Sequence, residues 1–178
     1  MVQAGAIALI GLIIVAAGLF VWAHPSLLTP TNAQMRLAFP GQMRQILEHS
    51  SQFTLLSLEP EPTLPTATGS GPPNDKLLFH GYSILGRLQI SDPKQKQELL
   101  RALDDGIARC RAEDACFNPR HGIHAEAGNH SVDLVNCFHC QQFELYSGRQ
   151  KSLAGVSNAP QKTFARILSD AGIPLAQH

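Results

Sequence analysis

The sequence has no excess of charge of either sign. Lysine plus arginine and aspartate plus glutamate both number 14, so the formal net charge is zero at pH 7. A protein that binds nucleic acid usually neutralises phosphates with a surplus of basic residues, which this chain does not have. We therefore expect no nucleic-acid partner, and the same balance excludes an acidic solvating tail.

The sequence also lacks the motifs of the common enzyme classes. It contains no serine nucleophile elbow, no glycine-rich phosphate loop and no HExxH helix. This absence favours a binding or structural module over an enzyme, and the identity of a protein partner does not follow from the sequence.

Cysteine is scarce. Four cysteines in 178 residues are too few for a scaffold built from disulfides, but they suffice for one disulfide, one metal site or one redox pair. The length and the 44% hydrophobic content fit one domain of ordinary size.

One long hydrophobic run is present near the N-terminus. Residues 4–23 contain no charged side chain, and a helix of this length spans about 30 Å of hydrocarbon. Trp22 at its end suits the membrane interface. We interpret residues 1–24 as a single-pass membrane anchor, with a cleavable signal peptide as the alternative. We expect the domain on the extracytoplasmic side, although Arg36 and Arg44 alone would place it inside.

The segments after the anchor have a mixed character. Residues 25–52 are expected to form a tether that contains a short helix at 41–49. The domain is then expected at residues 53–178. Its first strand is predicted at 53–58, because the prolines that follow cannot continue a hydrogen-bonded ladder. The segment 59–75 is rich in proline and glycine and is predicted to be a flexible loop.

The rest of the domain is predicted to form three more strands and two helices. Asp92 before Pro93 marks the start of one helix, and Gly172 before Pro174 marks the end of the other. The predicted strands lie at 82–90, 121–127 and 132–146, and the predicted helices at 93–110 and 159–172. The fold class is therefore α+β, with an N-terminal transmembrane helix followed by a small antiparallel sheet of about four strands packed with two helices.

Residues 116–140 contain most of the groups that could carry chemistry. Three cysteines and four histidines lie in this stretch: Cys116, Cys137, Cys140, His121, His124, His130 and His139. Cys116, Cys137 and Cys140 would form a structural zinc site if they met one histidine, such as His121. Zinc is the possible cofactor on this hypothesis.

The spacing of the last two cysteines requires a break in the strand. Residues i and i+3 of a regular strand point to opposite faces, so Cys137 and Cys140 can meet one ion only across a turn or bulge. The alternation of apolar residues also changes parity between Cys137 and Cys140, which indicates an irregular middle of this predicted strand.

The same cysteines have other possible roles. An oxidising compartment would allow a disulfide between Cys137 and Cys140, or between Cys116 and one of them. Buried thiols that pack as small apolar groups are a further alternative, and Cys110 is expected to face the core. A thioredoxin-like role is disfavoured, because the CxxC sequence does not lie at a helix N-terminus.

Two further residues are candidates for ligand binding. The guanidinium of Arg120 could hold a carboxylate, either that of a ligand or an internal one such as Asp133 or Glu144. His80 lies at the start of the second predicted strand, beside Gly81, and could join the cysteine and histidine residues.

The sequence resembles a family of uncharacterised bacterial proteins that combine a CFxPRHG motif with a downstream CFxC motif. The matching motifs are FHGY at residues 79–82, CFNPRHGI at 116–123 and CFHC at 137–140. The resemblance covers about residues 53–176 and implies a single domain without an assigned activity. Relatives often have an acidic residue at the position of His139, so this chain departs from the pattern there.

Overall fold

The computed structural model describes residues 41–62, 78–110 and 116–177. These residues form a mixed α+β fold with a single antiparallel sheet of seven strands and with three helices. In chain order the elements are α1 (Gly41–His49), β1 (Gln52–Pro62), β2 (Leu78–Phe79), β3 (Tyr82–Gln89), α2 (Pro93–Arg109), β4 (His121–Ala127), β5 (His130–Cys137), β6 (Gln142–Ser147), β7 (Gln150–Gly155) and α3 (Gln161–Asp170). The α+β class is confirmed, but the prediction of four strands and two helices is wrong.

The sheet has the order β2-β3-β1-β4-β5-β6-β7, and every neighbouring pair is antiparallel. The strands β4 to β7 follow one another as a meander. The strand β1 breaks this simple order, because it lies between β3 and β4 and bonds to both. An early segment of the described chain therefore forms an inner strand of the sheet.

The helices and one face of the sheet build the main core. Because side chains alternate along a strand, one face of β1 presents Phe53 and Leu55 to the helices, while the opposite face presents Leu56 and Leu58. The helices contribute Met43, Ile46 and Leu47 from α1, Leu99, Leu103 and Ile107 from α2, and Phe164, Ile167 and Leu168 from α3. A smaller apolar cluster on the opposite face joins Leu56, Leu58 and Val135 to the rings of Phe79, Tyr82, Phe117 and Tyr146.

The helix α1 has the predicted limits, but it belongs to the core of the domain and not to a separate tether. The Nζ of Lys96 on α2 donates to the carbonyls of Glu48 and Ser50, which satisfies backbone acceptors at the end of α1. Arg44 of α1 also forms a two-point ion pair with Asp104 of α2. The segment predicted as a tether thus contributes packing and hydrogen bonds from Gly41 onward.

The predicted membrane anchor, at residues 1–24, lies outside the described residues. Most of the predicted flexible loop, from residue 63 onward, also lies outside them. Among the helices that the structure describes, none combines the length and the apolar character that a membrane crossing requires.

The first strand extends further than predicted, to Pro62. The strand β4 pairs with β1 only from Gln52 to Ser57, and beyond that point β1 pairs with β3 through two shifts of register. The prolines therefore lie where the strand has lost one neighbour, and a missing N–H is tolerated there.

The prediction of one strand at 132–146 is wrong, because these residues belong to two strands. The strands β5 and β6 are joined by a turn at residues 138–141, in which Gln141 adopts a positive φ of 55°. The change in side-chain parity that the sequence showed between Cys137 and Cys140 marks this turn. The edge strands β2 and β7 were not predicted.

Candidate functional site

The turn between β5 and β6 carries a disulfide. Cys137 ends β5 and Cys140 lies in the turn, and the two are joined by a disulfide with their Cα atoms 5.2 Å apart. Both side chains are buried, with exposures of 1% for Cys137 and 0% for Cys140. The disulfide thus lies at the break in the strand that the spacing of the cysteines predicted.

A third cysteine lies against this disulfide. The Sγ of Cys116 is 2.8 Å from the Sγ of Cys140, and Cys116 is partly exposed to solvent. The side-chain amide of Gln142, at the start of β6, donates to the carbonyl of Cys116 and fixes its backbone beside the turn. We call Cys116, Cys137 and Cys140 the cysteine cluster.

Backbone N–H groups are directed at the sulfurs of the disulfide. The N–H of Asn118 lies 3.3 Å from the Sγ of Cys137 and 3.4 Å from the Sγ of Cys140. The N–H of Cys140 lies 3.2 Å from the Sγ of Cys137. Hydrogen bonds of this kind favour a thiolate over a thiol. The sulfur of Cys137 is therefore the one best prepared to hold a negative charge.

Cys110 also lies against this turn. It is buried at the end of α2, as predicted, and its thiol lies 3.6 Å from the carbonyl oxygen of Gln141. Cys110 is not part of the disulfide. All four cysteines of the chain therefore surround one turn.

His121 does not join the cysteine cluster. Its side chain lies on the helix-facing side of the sheet, only 4% exposed, and its ring contacts those of Phe138 and Phe164. Burial, together with the neighbouring charge of Arg120, lowers the pKa of His121 to about 4. The imidazole is therefore a neutral core group at physiological pH.

The predicted set of four zinc ligands is not assembled. The sulfurs of Cys137 and Cys140 are bonded to each other, and His121 is directed into the core. Within residues 41–62, 78–110 and 116–177, no group of three or more His, Cys, Asp or Glu side chains is arranged to hold a metal ion.

Arg120 has internal partners, but not the carboxylates that we predicted. Its Nη1 donates to the carbonyl of Ala176 at 3.2 Å and to the carbonyl of Gln177 at 2.7 Å. Asp133 and Glu144 bind other groups. Arg120 therefore fastens the C-terminal segment to the loop that precedes β4.

His80 is also held internally, on the face of the sheet opposite the helices. Its Nε2 lies 2.7 Å from Oδ2 of Asp133, and its ring stacks on that of Tyr146 with 3.7 Å between the centroids. His80 adopts a positive φ of 51°, which an ordinary residue seldom adopts. The local turn and these two contacts hold the imidazole in place.

Asp133 links His80 to His124, a second histidine, which was among the candidate groups of residues 116–140 but had no predicted partner. The Nδ1 of His124 lies 2.5 Å from Oδ1 of Asp133, and its Nε2 lies 2.9 Å from Oε1 of Glu126. The hydrogen bond to Asp133, opposed by burial and aided by Glu126, raises the pKa of His124 to about 9. Burial alone would raise the pKa of Asp133, but the hydrogen bonds from His124 and His80 lower it. His124 and Glu126 are two residues apart on β4 and therefore share a face of the sheet, which was the sequence signal for this network.

A groove between α1 and the start of α2 is a less promising site. Two of the cations that line it are held by the helices, since Arg44 binds Asp104 and Glu48 while Lys96 donates to two backbone carbonyls. These contacts explain the groove as part of the packing between the two helices.

Comparisons with family models, with curated proteins and with solved structures find no match for this chain. The function must therefore be argued from the geometry of its own residues. That geometry defines a class of site, namely a buried disulfide with a third, partly exposed cysteine in contact with it.

Proposed function

We propose that the domain carries a thiol–disulfide exchange site, with Cys116 as the attacking thiol. The observation that carries the proposal is the distance of 2.8 Å between the Sγ of Cys116 and the Sγ of Cys140 within the disulfide. Exchange proceeds by attack of a thiolate on one sulfur of a disulfide, so a third sulfur already in contact with the bond needs little movement to react.

The exchange is balanced within the cluster and needs no external oxidant. The Cys116 thiol loses its proton to water, and the thiolate attacks the Sγ of Cys140. A bond between Cys116 and Cys140 forms while the bond between Cys140 and Cys137 breaks, and Cys137 leaves with the electron pair as a thiolate. The number of thiols and the number of disulfides are unchanged.

The backbone favours Cys137 as the leaving group. Exchange is faster when the departing sulfur is a stable thiolate, and the N–H groups of Asn118 and Cys140 both donate to the sulfur of Cys137. These donors belong to a loop and a turn. They stabilise a thiolate as a helix N-terminus would. The sequence predicts no helix N-terminus at the CxxC, and a redox role was disfavoured for that reason.

A non-catalytic structural or binding module is the second candidate. It is favoured by the internal pairing of Arg120 and His80, which leaves both predicted ligand-binding residues with partners inside the domain. On this alternative the disulfide is a permanent cross-link and Cys116 takes no part in exchange. Attachment to a membrane through residues 4–23 stays a prediction from the sequence.

Disulfide mapping of the full chain with Cys137→Ala tests the proposal. Trypsin cuts after Arg111 and Arg120, which separates Cys116 from the peptide that holds Cys137 and Cys140. After mild oxidation of Cys137→Ala we expect a cross-linked pair of peptides joined through Cys116 and Cys140. The matched variant Cys140→Ala should give much less cross-linking of Cys116, because the sulfur in contact with it is missing.

The wild-type chain provides the second arm of the test. Incubation at pH 8 followed by rapid acidification should trap a fraction of molecules with Cys116 joined to Cys140 and with Cys137 free for alkylation. A Cys116 that stays fully alkylatable in both the wild type and Cys137→Ala would reject the exchange site and leave the structural module.

A further inference from the structure

The three residues of the cysteine cluster differ in their access to solvent. Cys137 and Cys140 are 1% and 0% exposed, whereas Cys116 is partly exposed. One side of the Cys140 sulfur is occupied by Cys116, and the sulfur of Cys137 is approached by the N–H groups of Asn118 and Cys140. An external thiol thus meets Cys116 before it can meet either sulfur of the disulfide.

We infer that Cys116 is the point at which an external thiol or disulfide exchanges with the buried pair, through a mixed disulfide on its Sγ. The inference rests on the proposed exchange site and names its substrate class, a molecule with an accessible thiol or disulfide. Cys116 serves as a relay, because it contacts both the solvent and the disulfide.

Reduction of the domain then follows three balanced steps. Cys116 first attacks Cys140 and releases Cys137 as a thiolate. An external thiolate attacks the Sγ of Cys116, so that a mixed disulfide forms and Cys140 leaves as a thiolate. A second external thiolate attacks the external sulfur of the mixed disulfide and releases Cys116. The external molecules gain one disulfide, and the domain ends with Cys137 and Cys140 as thiols.

Oxidation runs through the same mixed disulfide in reverse. The Cys116 thiolate attacks an external disulfide and releases one external thiol. Cys140 attacks Cys116 and releases the second external thiol, and Cys137 then attacks Cys140 to restore the buried disulfide and the Cys116 thiol. The domain loses two electrons to the external disulfide, which becomes two thiols.

The rate of reduction by glutathione tests the relay. We expect glutathione to reduce the buried disulfide of Cys116→Ser, in the full chain, at least about tenfold more slowly than that of the wild type. The reason is that access limits exchange at a buried sulfur. Cys116→Ala serves as the second variant, since both should keep the wild-type circular dichroism and melting temperature. His130→Ala is the matched control, because His130 is exposed and lies at the opposite end of β5 from Cys137, and this variant should be reduced at the wild-type rate.

The position of the adduct gives an independent readout. Oxidised glutathione added to the reduced chain should first label Cys116, in the tryptic peptide that ends at Arg120. Unchanged reduction rates in both Cys116 variants, or a first adduct on Cys137 or Cys140, would overturn the relay. If Cys116 and Cys140 still cross-link in Cys137→Ala, the exchange site survives that result; if they do not, both proposals fail.

The identity of the external molecule is distinguished by its size. Glutathione and a folded protein with an exposed dithiol share the chemistry that the relay requires. Equal second-order rates for both probes would indicate a site open to small molecules and proteins alike, with Cys116 labelled in either case. A protein probe that labels another cysteine first would count against the relay.

Discussion

The Nδ1 of His124 lies 2.5 Å from Oδ1 of Asp133, its registered partner on the neighbouring strand. The same carboxylate binds His80, and the other nitrogen of His124 binds Glu126. This arrangement keeps His124 charged at neutral pH, between two carboxylates on the sheet face away from the helices. His124 and Asp133, which are cross-strand neighbours, therefore make a pH-dependent contribution to the stability of the fold.

The first prediction concerns this pair at high pH. The pKa of His124 rises from 6.5 to about 9 on folding, so its stabilisation is fully present below pH 6.5 and is lost as the pH rises through 9. The ring is about one-third exposed, and after allowance for solvent screening we expect a contribution of about 1 kcal/mol. Urea unfolding of wild type and His124→Gln should differ at pH 6 and converge near pH 10. A constant difference across this range would contradict the prediction.

The second prediction concerns His121 at low pH. Its pKa falls from 6.5 to about 4 on folding, so the unfolded chain binds a proton that the folded chain excludes. Stability is therefore full above pH 6.5 and declines as the pH falls toward 4, by about 2–3 kcal/mol in all. His121→Phe should lose less stability than the wild type between pH 6.5 and 4. Equal losses in the two proteins would show that His121 is protonated in the folded state.

The third prediction concerns a buried hydroxyl. Within the described residues the Oγ of Ser57 is fully buried and has no hydrogen-bond partner, which costs a folded protein free energy. We expect Ser57→Ala to raise the free energy of unfolding by about 1 kcal/mol. Ser50→Ala is the matched control and should lower it, because the hydroxyl of Ser50 donates to the carbonyl of Leu47 at 3.0 Å. A destabilised Ser57→Ala would contradict the account.

The fourth prediction concerns the contact between α2 and the segment before α3. A Cβ on Gly106 would lie 2.5 Å from Cγ of Pro160 and 2.8 Å from Cγ2 of Val156. The proline ring is rigid, so we expect Gly106→Ala to cost about 2 kcal/mol despite the higher helix propensity of alanine. Gly41→Ala is the control, because its Cβ would meet no atom within 4 Å. Thermal unfolding of the two variants should separate them clearly, and equal melting temperatures would refute the packing argument.

Elements with local signals were predicted well. The helix α2 starts at Pro93 because Asp92 accepts a hydrogen bond from the N–H of Lys94, and its apolar residues recur at helical spacing. The strand β4 has the predicted limits as well. In both cases a short stretch of sequence contains the physical cause of the structure.

Elements that depend on distant partners were missed. The strand β7 has little apolar character to bury, and its Leu153 is 50% exposed, so only pairing with β6 makes it a strand. The extension of β1 through Pro62 depends on β3 in the same way. Pairings with other strands are not visible in the pattern of apolar and polar residues within a single segment.

The candidate site shows the same division. A disulfide between Cys137 and Cys140 was one of the alternatives that spacing allowed, and the parity change pointed to the turn that holds it. The approach of Cys116 depends on Cys140 and on the amide of Gln142, which lie 24 and 26 residues further along the chain. His121 was assigned to the cluster because it is close in sequence, but its position on β4 directs it to the core.

The insertion of β1 between β3 and β4 also constrains the order of folding. The β4–β7 meander is made of hairpins between successive strands, which close quickly because little chain entropy is lost. The strand β1 must wait for β4, about 70 residues later, before its second edge is covered. During synthesis on the ribosome one edge of β1 therefore stays uncovered until β4 has emerged, and its leucines are open to non-native contacts during that interval.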